Sequence, residues 1–420
     1  MNHGYLSTLW PAEDGGPGRL QAVGAGASLG LRPGEQLSCT RRATLLSTMM
    51  VLGPGDEVYL LTHSALRSHL GLSTTACVER IDPLNLQTLQ RSPRLAGGPM
   101  WPGGMALHAN GDLIVVYGRH AHRLGLDCSL RQSRTLPEDQ PYNGFVVLDN
   151  GLIVTKNLSE TLPARLSVLD ATSLKPAAAD TLCPEPSVAR LSARGNTVYV
   201  VGVRSVMRYH WSDSQQRLMP DKGWRVHYLG AQGHSFGWDL VLAADHGWFM
   251  DNGQHRYRWR MKGAGVSRSA NRLHRVSLLQ AQEHSAVEVC GLPGGSITNP
   301  PLIDVQRRIV VGYDSANARV QAWRVAEDGP HGGLQLQPLW HKHDFGCASH
   351  MLFYPASGEL VLNDHHLQGE QVVVLDIDSG AEKGRVGIGG WSQGVVFPCP
   401  GRNRDFYWSS MSRLARVHVA

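Results

Sequence analysis

One short unit recurs along the chain: an apolar run, a tight polar turn ending in glycine, then a second apolar run. It is plainest at Gly104–Gly111, followed by Leu113–Val116, and at Gly144–Gly151, followed by Leu152–Thr155. It returns at Met351–Gly358 and Gly394–Gly401, and in all four copies the glycine lies seven residues after the unit begins. Weaker copies start near Thr48, Val188, Leu240 and Pro301, so eight units begin 40 to 61 residues apart. Helical periodicity is nearly absent. The apolar runs of four to seven residues are bounded by Gly, Asp, Asn and Pro, which is the punctuation of short strands joined by tight turns.

A period of roughly 40–50 residues with four short strands per unit is the signature of a β-propeller. The expected fold is all-β: a single closed β-propeller of eight four-stranded blades over residues 20–420, after an N-terminal extension of residues 1–19. Seven blades remain if the Thr48 or Pro301 unit is not one, and two β-sandwich domains are the competing architecture. The glycine register favours the propeller because it holds across distant units. The third strands at Arg165–Asp170 and Gln371–Asp378 each carry a Leu-Asp step, at 169–170 and 375–376. They resemble repeats of the quinoprotein-like, YVTN-type propeller superfamily; the Trp-Asp and Gly-His signatures of WD repeats are absent. The last unit has only 27 residues, enough for three strands. An N-terminal strand near Leu20–Leu31 is expected to complete it, since closure removes an exposed sheet edge.

Composition narrows the function classes. The seven cysteines are scattered, with no metal-ligand spacing and no adjacent pair. The first residues lack the basic start and apolar run of a secretory signal, and no apolar stretch approaches the ~20 residues that span a bilayer. These features lead to the expectation of reduced thiols, a cytoplasmic location and no membrane partner. A net charge of +5 is too small to read the whole chain as a nucleic-acid binder. One segment, 255–275, carries seven Lys or Arg and no acid. There His255, Tyr257, Trp259 and Met261 alternate with Arg256, Arg258 and Arg260, as on a strand with one cationic face. Such a run is read as a solvated face, with steering of an anionic partner as the alternative.

In a propeller the residues just before each inner strand ring one mouth of the central channel, and the ends of second strands reach the same face. This register selects Asn143, Trp238, Asp239, Asn299, His350 and Gln393, with Lys156, Asp251, Asp314, Asp364 and His365 at second-strand ends and Trp391 close by. Polar groups with a few aromatics converging on one concavity suit a small-molecule site. The expected roles are His350, Asp364, Asp239 and Lys156 in catalysis, with Lys156 holding an anionic group. Asn143, Trp238, Asp251, Asn299, Asp314, Trp391 and Gln393 are expected to bind substrate. His234, His343, His350 and His365 form a candidate ligand set for a divalent transition metal, Zn, Fe or Cu. Histidines converging from several blades resemble the four-histidine iron site of carotenoid-cleaving oxygenases, but no other motif of that family is present. No quinone or nucleotide cofactor is expected: the 11 tryptophans do not follow the repeat, and no phosphate-binding loop precedes a helix. The reading is therefore an enzyme or binder of a small molecule at the channel mouth, with an anionic ligand as the expectation where Lys156 takes part. The rival is a non-catalytic propeller scaffold whose rim binds another protein.

Overall fold

The computed structural model describes residues 3–64, 67, 70–230, 232–256, 261–295, 299–326, 334–366, 368–391 and 395–420. These residues form eight antiparallel sheets arranged as the blades of a closed β-propeller. The inner strands of blades 1 to 8 are Ser47–Leu52, Gly104–Leu107, Tyr142–Val147, Ser192–Arg194, Val241–Ala243, Leu302–Asp304, Leu352–Tyr354 and Cys399–Pro400. Each lies within about five residues of a unit start read from the sequence. In blades 1 to 7 the chain then runs outward strand by strand, as the sheet orders require.

The turn glycines explain the register. Gly111, Gly151 and Gly358 have φ of +86°, +84° and +66°, a region that residues with a Cβ enter only at a cost. Gly401 serves differently: a Cβ there would lie 1.9 Å from an Asp405 carboxylate oxygen. Burial grades outward. Every residue of Ser47–Leu52 is buried, whereas every residue of the outer strand Thr88–Arg91 is exposed. Neighbouring blades pack face to face through side chains such as Met49, Val51 and Tyr59 of blade 1 against Met105 and Val115 of blade 2. Burying each such side chain contributes about 1.5–3 kcal/mol.

Closure is achieved by an N-terminal strand, at a different place from the one expected. Leu37–Ala43 pairs with Arg413–Val419 along its full length and completes blade 8. Residues 20–31 do not form that strand. The reason is visible in the burial: Val23, Leu29 and Leu31 are buried under the disk, and Ala22 makes a single parallel bridge to Phe353. Among the described residues, no helix is long and apolar enough to cross a membrane. Tyr257 to Arg260, in the basic segment, lie outside the described residues; beside them His255 bridges to Gly265.

Before the closing strand, the chain runs around the inside of the ring at the ends of the inner strands. Leu52 donates its backbone N–H to Trp10 O, Leu107 to Pro11 O, Ala193 to Pro17 O, Leu242 to Gly18 O and Phe353 to Gln21 O, all at 2.8–2.9 Å. The Tyr5 hydroxyl accepts from Val147 N in blade 3, and Gln21 Nε2 donates to Pro301 O ahead of blade 6. Residues 5–23 are thus a strap that touches seven blades and fills the channel from the side opposite the mouth.

Candidate active site at the channel axis

The strap brings charged side chains to the axis. Asp14, Arg19 and Gln21 all have left-handed backbones, with φ of 55°, 56° and 57°. Each such residue costs about 1–2 kcal/mol, so the surroundings must impose the conformation. The side chains show how. Arg19 donates through Nε to Leu191 O at 2.8 Å and through Nη1 to Asp14 at 3.0 Å, and it also pairs with Glu13. Gln21 accepts from Met351 N at 2.7 Å while donating to Pro301 O.

Into this cluster the blades contribute Asp239, His350 and Arg190, each buried. Asp239 accepts the backbone N–H of Arg190 at 2.6 Å and lies 3.9 Å from Arg19 Nη1. Arg190 stacks its guanidinium on Phe397 at 4.6 Å, donates to Pro102 O at 3.0 Å and sits 3.4 Å from Glu13. His350 packs its ring on the same Phe397 at 4.1 Å. Its Nδ1 lies 2.7 Å from Asp14 Oδ1, while its Nε2 has no hydrogen-bond partner among the described residues. Burial pushes the Asp14 carboxyl up, but His350 and Arg19 outweigh it and hold the group below its ordinary range. Ionised Asp14 therefore accepts a hydrogen bond from Nδ1–H of His350. A carboxylate–imidazole pair with an open Nε2 is the arrangement of a general base.

Lys156 lies at the edge of this field. It is fully buried, with Nζ facing the carbonyls of Ser187 at 3.2 Å and Asn157 at 3.5 Å. Burial pushes its amine down to about 7, with Cys183 and then Asp239 opposing.

The mouth above the axis is roofed by tryptophan. Trp101, leading into blade 2, stacks on Trp238, leading into blade 5, with ring centroids 6.3 Å apart and planes 19° from parallel. Among the described residues neither indole N–H has a hydrogen-bond partner. His255 approaches Trp238 at 6.4 Å, and Gly253 passes so close that a Cβ there would fall 2.0 Å from Trp238 Nε1. The segment bearing Trp101 runs Gly97-Gly98-Pro99-Met100-Trp101-Pro102-Gly103-Gly104, with a glycine pair at each end.

The structure sorts the residues selected by register. His350 and Asp239 meet at the axis, and Lys156 feels Asp239. Asn143 and Asn299 stitch blades together, donating to Val188 O at 2.6 Å and Ala348 O at 2.9 Å. Asp314 closes a turn by accepting the backbone N–H of Asn317, whereas Asp251 and Asp364 tie distant segments by accepting those of Arg272 and Gly346, and Asp364 also pairs with Arg385. Trp391 is 67% exposed, and Gln393 lies outside the described residues.

The four-histidine metal set is not brought together. His234 faces Asp251 in blade 5, and His365 ends the second strand of blade 7. His343 is exposed on the outermost strand of blade 6, edge-on to His341 at 4.6 Å. Strand alternation correctly put His341 and His343 on one face, but that strand is the rim. Among the described residues, the group of three or more potential ligand atoms within 4.8 Å of one another is Asp14, Asp239 and His350. Arg19 already occupies the space between its two carboxylates, at 3.0 Å and 3.9 Å. The site is therefore charge-balanced by guanidinium and suits proton transfer better than a divalent cation.

Sequence reasoning missed Glu13, Asp14, Arg19 and Arg190. The available signal was the Gly-Gly-Pro-Gly run at 15–18 flanked by charge, a tight turn that presents its neighbours inward.

No family model matches the chain, and no curated protein matches it. Solved structures do. The chain is similar to BamB from Moraxella catarrhalis, at 13% identity and TM-score 0.53, over 90% of this chain and 100% of that one. It is also similar to the quinohemoprotein alcohol dehydrogenase ADHIIG from Pseudomonas putida HK5, at 8% identity and TM-score 0.59, over 98% and 80%. The quinohemoprotein alcohol dehydrogenase from Comamonas testosteroni matches at 8% identity and TM-score 0.57, over 97% and 80%. At these identities the likeness is one of fold.

Proposed function

We propose that the channel axis is a small-molecule site with acid–base chemistry, built jointly by the blades and the N-terminal strap. The observation that carries this reading is the open Nε2 of His350, buried and without a partner among the described residues while Asp14 holds Nδ1. Leaving a buried polar atom unpaired costs about 1–3 kcal/mol, and a ligand hydroxyl or acid that bonds to it recovers that cost. The donors nearby are Arg190, Lys156 and the indole N–H groups of Trp101 and Trp238. They favour a ligand rich in acceptors, with a flat apolar part to lie under the tryptophans: a small organic acid. In the reaction His350 accepts a proton at Nε2, and Asp14 stabilises the imidazolium. Ligand entry requires Trp101 to swing away on its glycine-flanked segment.

The test is a thermal-shift screen of small carboxylic and hydroxy acids on the native protein and on His350→Gln, with Asp14→Asn as the companion. The expected result is a set of acids that stabilise the native protein and not His350→Gln, while the unliganded melting temperatures stay within about 3 °C of each other. Acids that stabilise both proteins equally would contradict the site. In that case the cluster serves to lock the strap, and the propeller is a scaffold.

A further inference from the structure

The longest row of titratable contacts away from the axis lies in blade 5. His284 is half-buried on the outermost strand, His284–Glu288. Its Nε2 lies 2.9 Å from Nδ1 of His274, on the adjacent strand Arg272–Ser277. His274 is fully buried, and its Nε2 lies 3.0 Å from Oδ2 of Asp251, just past the strand His246–Met250. That oxygen is 3.4 Å from Nδ1 of His234, in the connection leading to the inner strand at the mouth. Four groups thus line up from the rim of the disk to its channel.

The surroundings give the row a direction. His274 lies flat between Phe249 (4.7 Å, 8°) and His284 (5.2 Å, 7°), with Tyr228 edge-on at 5.5 Å. These rings exclude water, so the nitrogens are the polar route. Burial pushes Asp251 up, but His274 and Arg272 outweigh it and keep the carboxyl ionised. An ionised carboxylate needs a donor, so the hydrogen of His274 sits on Nε2 and its Nδ1 accepts. His284 must then donate from Nε2, leaving its Nδ1 to accept from solvent. Burial holds both imidazoles neutral near pH 7, pushing His284 down to about 4 and His274 below its ordinary value.

We propose that His284, His274, Asp251 and His234 form a proton path joining solvent at the outer edge of blade 5 to the mouth of the channel. A proton arriving on His284 Nδ1 displaces the Nε2 proton to His274 Nδ1. His274 passes its own Nε2 proton to Asp251 Oδ2, and the carboxyl hands it to His234 Nδ1 once a small ring rotation closes the 3.4 Å gap. One proton enters at His284 Nδ1, one leaves from Nε2 of His234 to the mouth, no electron moves, and ring flips reset the row. Arg272 donates to Asp251 from Nε at 2.8 Å and from its backbone N at 2.7 Å, so protonated Asp251 is a passing state. The use of the path rests on the reading of the mouth as an acid–base site; its existence does not.

The test needs no ligand. In the full-length protein labelled with nitrogen-15 histidine, exchange of the His274 Nε2 proton with water is measured by saturation transfer. A working path exchanges this proton roughly tenfold or more faster than the backbone amides of Arg272–Ser277, despite complete burial. His284→Phe must then slow it by a similar factor. His284→Gln, which can still donate to His274 but cannot relay, must slow it equally. Exchange as slow as the neighbouring amides, or unchanged in the two variants, would overturn the path and leave the row as an anchor between strands. A failed acid screen at His350 would not produce either pattern, so the two readings fail separately.

Discussion

Lys156 shows most directly what the axis demands of single residues. Its amine is fully buried and, among the described residues, meets two carbonyl oxygens within hydrogen-bond reach, where a methionine of similar length would pack without desolvating a charge. Burial lowers its pKa from 10.5 to about 7. Between those values the unfolded chain binds a proton that the folded chain does not, so stability rises with pH across that window and is lowest, and flat, below about pH 7. Lys156→Met removes the penalty. The variant is expected to melt about 5 °C above the native protein at pH 6, with the difference vanishing towards pH 10 and the binding of acids at the axis lost. Urea unfolding at several pH values checks the first part, and the thermal-shift screen checks the second. A variant that is less stable at pH 6 would mean that Lys156 is held by its carbonyls for structure.

Among elements, the strap decides whether the site exists. Its own sequence cannot form a regular strand, because the Gly-Gly-Pro-Gly run breaks one and three residues other than glycine sit at positive φ. What holds it is Arg19, between two strap carboxylates and the Leu191 carbonyl. Removing one partner of such a buried network costs about 3–5 kcal/mol, because the other charges stay buried. Arg19→Met is therefore expected to loosen residues 5–23 before the blades melt. Limited proteolysis should then cut the strap in the variant while leaving the core from Leu37 onward intact. Equal resistance to cleavage in both proteins would show that the backbone bonds to the blades suffice.

The same element marks the limit of what was legible in the sequence. Blade number and turn positions were readable because glycine at positive φ and wholly buried inner strands leave strong local signals. The closing strand Leu37–Ala43 was not, because as an outermost strand its burial merely alternates weakly with polar residues. The segment 20–31 was expected in its place because it precedes the first full unit without a partner of its own, whereas Val23, Leu29 and Leu31 are buried in the core. His350 and Asp239 were found by register, whereas Asp14 is 336 residues from His350, and nothing local announces their meeting. Asp251, Asp314 and Asp364 shared the register for a commoner reason: a carboxylate at the end of a second strand accepts the backbone N–H groups of the segments beside it.

At the scale of the whole molecule, ring and strap depend on each other. Eight wedge-shaped sheets leave an axial channel lined by strand ends, and the chain fills one end of it with its own first residues before closing the ring with the strand that follows. The other end is roofed by Trp101 and Trp238. Between them lie three carboxylates, two guanidiniums, one amine and one imidazole, in a setting where each unpaired group is expensive. That concentration of polar groups is the central observation, and a bound small acid is the account given for it. The most direct measurement is a crystal structure of the protein soaked with the strongest acid from the screen. The account predicts the ligand beneath the two tryptophans with an oxygen about 2.6–3.2 Å from His350 Nε2. Electron density for the acid elsewhere on the disk, with Nε2 packed dry against carbon, would contradict it.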